Sequence, residues 1–261
     1  MIRGSVQAAG ASAVACAVAV AGAFAPGNAR ADQFVRSPQV NLGEYEFEMN
    51  GEVGIGPHRN ADRFQSYTYS LAATPFDFLR IEIEAESAAL PGNTLALSAM
   101  TLETYWQVTE PGEYWLDLGA FAEFSRGQGP GSTNTFTVGP ELQKDTGGPF
   151  GHRWLHTLNL FVERDVGRNA TPRTGLVTAF QTRLLLDARL QPGLEIFGGV
   201  DDLGRARGFN TQSWQAGPVI VGAFHPFRIG KIAYELGYQF GISDAAPSGA
   251  VRWKFEYEWA F

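Results

Sequence analysis

The chain contains a single cysteine, Cys16, and four histidines, His58, His152, His156 and His225. Cys16 falls in an N-terminal run expected to be removed, so the remainder has no thiol. That excludes disulfides and cysteine-based metal sites. G-x-S-x-G, HExxH and P-loop patterns are missing, so no nucleophile elbow, zinc helix or nucleotide cradle is expected. Positive charge is scarce, with 20 Lys and Arg against 27 Asp and Glu. An acidic chain is a poor partner for nucleic acid. After Asp32 no apolar run reaches the roughly 20 residues of a membrane helix, and no stripe repeats with a period of about 3.6. No cofactor, metal or catalytic residue is expected.

What the sequence has in quantity is glycine, 31 residues, and aromatic side chains, 13%. Many turns and many strand-favouring rings point to an all-β chain. Residues 1–31 read as a signal peptide: Arg3, an Ala/Val-rich run from Ala8 to Ala25, then Ala29 and Ala31 before a cut. The run ends in Pro26-Gly27, which favours a cleaved signal over a membrane helix. Losing Arg3 and Arg30 takes the formal charge from −7 to −9. Residues 32–261 are then one exported domain.

Within that domain the alternation has period two. In GEYEFEMNGEVGI, Glu44, Glu46, Glu48 and Glu52 oppose Tyr45, Phe47, Met49 and Val53. In FLRIEIEAES, Arg80, Glu82, Glu84 and Glu86 oppose Leu79, Ile81, Ile83 and Ala85. The last run, VRWKFEYEWAF, sets Arg252, Lys254, Glu256 and Glu258 against Val251, Trp253, Phe255, Tyr257, Trp259 and Phe261. Twelve strands are expected, near 43–55, 64–74, 77–88, 94–108, 113–125, 134–144, 153–164, 174–190, 193–201, 212–224, 229–242 and 250–261. Most reach the roughly 9–11 residues with which a tilted strand crosses a bilayer. Tight proline turns (TPF, EPG, QPG, HPF) alternate with longer polar loops. Short turns at one end and long loops at the other are the pattern of an outer-membrane barrel.

Bulk decides which face meets which solvent. A twelve-stranded lumen is only modestly wider than an eight-stranded one, which side chains already fill. Trp253, Phe255, Tyr257 and Trp259 from one strand would overfill it, so the rings belong to lipid and the charges to the lumen. The expected fold is a closed antiparallel up-and-down transmembrane β-barrel of about 12 strands in a bacterial outer membrane. Trp106, Tyr114, Trp154, Phe224, Phe227 and Trp259 cluster at strand ends, where an aromatic girdle meets lipid headgroups.

The segments TVGPELQKD (137–145) and LEIFGGVDD (194–202), with the glutamate-rich early strands, resemble small proteobacterial outer-membrane barrels of the MetA-pathway phenol-degradation, transporter-like type. The resemblance implies a barrel and passage of small solutes, and supplies no catalytic residues. The terminal Phe261 resembles the signal read by the barrel assembly machinery, an expected partner.

The expected lumen residues are Glu44, Glu46, Glu48, Arg80, Glu82, Glu84, Glu86, Arg183, Asp187, Arg189, Glu195, Glu235, Arg252, Lys254, Glu256 and Glu258. Two readings stay open. Acids and bases pair across strands as a polar core, or an acidic wall facing a basic patch steers cations or zwitterions through a pore. The leading expectation is a narrow channel or transporter-like barrel for small solutes. The alternatives are a non-conducting structural barrel and an outer-membrane lipid hydrolase or modifier using histidines at the periplasmic end.

Overall fold

Outward-facing apolar residues at every second position generate a sheet that closes on itself. The computed structural model describes residues 34–56, 62–148, 151–171, 173–226 and 230–260. The expected signal segment 1–31, and His58, Phe227 and Phe261, lie outside the described residues. The strands are β1 (Glu44–Ile55), β2 (Gln65–Phe76), β3 (Leu79–Ala89), β4 (Ala96–Gln107), β5 (Asp117–Gly127), β6 (Asn134–Gly147), β7 (Arg153–Val166), β8 (Thr174–Leu185), β9 (Gln191–Val200), β10 (Trp214–Phe224), β11 (Lys231–Gly241) and β12 (Gly249–Ala260). Each pairs antiparallel with its neighbours in sequence, and β1 closes on β12. That seam runs unbroken from Glu44↔Ala260 to Ile55↔Gly249. With every edge paired, no strand offers free backbone groups to lipid.

The polarity is inside-out. Glu46 and Glu48 are 4% and 8% exposed, while Tyr45 and Phe47 beside them are 43% and 41% exposed. Glu103, Glu141, Asn159 and Gln239 are fully buried, and Ile83, Leu194 and Phe240 are more than half exposed. A water-soluble protein would reverse this order, so the exterior is matched to hydrocarbon.

Two strand boundaries differ from expectation by four residues or more. β8 stops at Leu185 instead of running to 190. Asp187 ends it: its carboxylate accepts from the Arg189 N–H at 2.8 Å, and Leu190 N–H bonds back to the Asp187 carbonyl at 3.1 Å. Asp187 and Arg189 are therefore exposed turn residues and do not line the lumen. β5 begins at Asp117 instead of 113, because its carboxylate accepts from Gly112 N–H at 2.7 Å and holds 108–116 in a folded turn. Tyr114 sits in that turn, 61% exposed. Trp106, Trp154, Phe224 and Trp259 lie at the same rim as Tyr114, where β1 starts. Tyr45 stacks on Trp259 there at 6.0 Å, and Phe78 on Trp106 at 6.1 Å.

Candidate functional site

The lumen is where the fold gathers polar side chains out of contact with lipid. Alternation along β1, β3, β11 and β12 brings Glu44, Glu46, Glu48, Arg80, Glu82, Glu84, Glu235, Lys254, Glu256 and Glu258 to a cavity of about 330 Å³, with Arg183 of β8 on the facing side. The seam register sets Glu46 against Glu258 and Glu48 against Glu256. Like charges directly opposite each other repel, and cations placed between them offset this. Arg80 Nη2 donates to Glu46 Oε1 at 2.9 Å and Glu82 Oε2 at 2.6 Å. Lys254 Nζ lies 2.5 Å from Glu256 Oε1 and 3.8 Å from Glu48 Oε2. Lys231 Nζ meets Glu258 Oε2 at 2.6 Å. Carboxylate oxygens of Glu46, Glu48 and Glu256 converge within 4.8 Å, a spacing that could hold a metal ion. The Lys254 ammonium already supplies a fixed positive charge at that cluster.

Two expected lumen residues lie beyond the cavity: Arg252 and Glu195 are buried and pair at 3.4 Å. Glu86 continues the phase of Glu82 and Glu84 but sits at a register shift in the β3–β4 ladder.

Sequence reasoning missed how the remaining cross-section is filled. The segment ahead of β1 turns at Gly43 (φ 77°) and runs up inside the barrel. Gly43 has the left-handed backbone that this reversal needs. Phe34 is 4% exposed and lies under the Arg252 guanidinium, 4.3 Å from its ring centre. Arg36 fixes the segment to the wall. Its N–H donates to Asn159 Oδ1 at 2.7 Å, and Asn159 Nδ2 donates back to the Arg36 carbonyl at 2.9 Å. Its guanidinium pairs with Glu103 at 2.8 Å, donates to the Tyr105 hydroxyl at 3.1 Å and covers the Phe121 ring at 4.6 Å. Further down, Val40 N–H donates to Gln107 Oε1 at 3.0 Å. Pro38 passes so close to the wall that a Cβ on Gly119 would come within 2.7 Å of it.

Beneath this segment is an inward aromatic cluster. Tyr105 and Phe121 meet edge-on at 5.2 Å, and Phe121 and Phe161 are 4.7 Å apart. Phe197 faces inward too, under Arg252 at 3.9 Å. Assigning every large ring to lipid was therefore wrong for these four. The signal was present in the phase: Phe121 alternates with Glu123, Phe161 with Asn159 and Phe197 with Glu195.

The histidines stand apart. His152 and His225 are exposed at the β1-start rim. His156 faces away from the lumen, and its two ring nitrogens meet Thr146 Oγ1 and Thr182 Oγ1, each at 2.9 Å. Among the described residues no carboxylate hydrogen-bonds a histidine.

No family model matches the sequence, and no curated protein matches it either. The fold does have solved counterparts. The COG4313 outer membrane channel from Pseudomonas putida F1 is similar with a TM-score of 0.54 and 12% identity, over 85% of this chain and 97% of that one. The translocator domain of autotransporter NalP from Neisseria meningitidis is similar with a TM-score of 0.55 and 10% identity, over 85% of this chain and 90% of that one. At such identities the likeness is one of architecture: this chain has the fold of a bacterial outer-membrane β-barrel.

Proposed function

We propose that the protein is a narrow outer-membrane channel for small polar solutes, closed at rest by its own N-terminal segment. One observation carries the reading. A charged cavity of about 330 Å³ and a chain segment share one lumen. The segment is held by side-chain contacts, not by strand pairing. Contacts of that kind can be exchanged for water without breaking the barrel.

Eight glutamates and five basic residues line the cavity. The field of such a wall favours cations and zwitterions over simple anions. In this reading residues 1–31 direct export, and the last strand, together with the Phe261 that follows it in the sequence, is offered to the assembly machinery. The rim of Trp106, Tyr114, Trp154, Phe224 and Trp259 anchors the barrel in lipid headgroups. The resemblance to MetA-pathway barrels, and the channel named among the similar structures, agree with passage of solutes. Neither indicates which solute.

Planar-bilayer recording tests the proposal. The intact protein should give small, brief cation-selective openings. A variant lacking Phe34–Val40 should give a stable conductance several-fold larger. Silence from both at every voltage would sink the channel and leave the second reading, a non-conducting structural barrel. One observation favours that alternative: beyond the cavity Asn50, Glu52, Thr68 and Gln239 are each no more than 2% exposed, so described side chains fill much of that stretch of the lumen. There Asp62 accepts from Ser248 N–H at 2.6 Å, and Ala246 is fully buried. An enzyme reading has the least support, because among the described residues no carboxylate hydrogen-bonds a histidine.

A further inference from the structure

The cations of the lumen are not equivalent. Arg36, Arg80, Lys231, Arg252 and Lys254 each form an ion pair with a glutamate. Arg183 lines the same cavity, yet among the described residues it makes no hydrogen bond or ion pair. Its Nε is wholly buried and unpartnered.

The reason lies in its surroundings. Glu195, Glu235 and Glu256 stand around it, and each is committed elsewhere. Gln181, two residues earlier on the same face of β8, donates to Glu195 Oε1 at 2.8 Å and to Glu235 Oε2 at 3.2 Å. Arg252 and Gln239 both approach the other oxygen of Glu195. Lys254 holds Glu256. An arginine fork is thus left facing a cavity whose nearest acids are already engaged. A guanidinium in that position is suited to a bidentate carboxylate.

A simple anion is disfavoured, because the wall carries eight glutamates against five bases. A simple cation would leave the Arg183 fork unused. A small molecule with both charges uses both walls. From this we infer that the cavity is a binding site for small amino-carboxylates, with the carboxylate on Arg183 and the ammonium drawn to the excess of glutamates over bases that line the cavity. This rests on the channel reading only in making the cavity a solute site, and its volume is at the lower end for ligand pockets, which run from about 300 Å³.

Isothermal titration of the full chain in detergent micelles with three matched probes tests it. The probes are 4-aminobutanoate, butylammonium and butanoate. 4-Aminobutanoate should bind at least ~10-fold more tightly than either half-probe, since losing a charge-assisted pair removes about that much. Arg183→Gln should erase the advantage, and Arg183→Lys should retain part of it. Removing a cation cannot weaken butylammonium, so that probe's affinity must not fall if the variant is folded. Equal binding of 4-aminobutanoate and butylammonium, or an unaltered preference in Arg183→Gln, overturns the site. Conductance is read separately. A silent barrel that still prefers 4-aminobutanoate would refute the channel and keep the site, and a conducting barrel without the preference would do the reverse.

Discussion

Two walls of the same lumen solve the problem of buried polarity differently. On the wall from β4 to β9, Tyr105, Phe121, Phe161 and Phe197 turn inward, and a single chain segment lies on them through Arg36, with Phe34 reaching across to Arg252 of β12. On the wall from β10 through β12 to β3, glutamates alternate with Arg80, Lys231 and Lys254, and a cavity remains. Rings and one well-satisfied arginine can be packed dry. A field of carboxylates in excess over bases needs room for water or solute. The segment therefore covers the wall that tolerates it and leaves open the wall that does not.

The sharpest way to break this contrast is Arg36→Ala. It strips Glu103 of a buried partner, Tyr105 of a donor and Phe121 of its guanidinium cover, and leaves both backbone bonds to Asn159, so the side chain is tested apart from the backbone. Breaking a buried pair from one side costs roughly 3–5 kcal/mol. Limited proteolysis should then cut at 34–40, and conductance should rise toward that of the deletion. Continued protection would mean that Phe34 and the backbone contacts suffice.

Gly119→Val attacks the same wall by volume. The first added carbon would meet Pro38 and, at 2.9 Å, Glu141 Oε2. Overpacking of this kind costs about 1–3 kcal/mol. More frequent openings with an unchanged melting temperature of the barrel are expected, and unaltered gating would contradict the placement of Pro38.

Arg80→Gln probes the charged wall. It removes charge-assisted bonds to Glu46 and Glu82, each worth about 1.5–3 kcal/mol. Reversal potentials in a salt gradient should move toward stronger cation selectivity, while the segment stays protected from protease. The smallest effect is expected from Lys231→Gln, since Lys231 is about a third exposed at the rim. Its loss should change thermal stability by no more than ~1 kcal/mol. A larger change would show that the rim pair with Glu258 matters more than its exposure implies.

The barrel was legible because period two is strict wherever one face meets lipid and the other does not. The outward residues of β1 and β12 obey it, so the lumen face of the seam could be anticipated, while the pairing of Glu46 with Glu258 and Glu48 with Glu256 could not, since a slip of two residues keeps the same phase. The end of β8 was not legible from its apolar run, because Leu184, Leu185 and Leu186 run straight up to Asp187, where the chain turns, and leave no polar break at the strand's end. Residues 34–43, FVRSPQVNLG, were not legible either. They have no period, being shaped to an irregular groove and not to a sheet. The inward rings were missed by weighing bulk above phase. Phe121 keeps step with Gly119 and Glu123, and that position outranks the size of its ring.

The turn at Gly43 has a consequence for kinetics. Because Asn41–Gly43 joins the inserted segment directly to β1, its return to the lumen is a first-order event, independent of how much protein is in the membrane. A short tether of this kind corresponds to an effective concentration on the order of millimolar. The severed stretch supplied as a free peptide would have to reach that concentration before it silenced a barrel that lacks it.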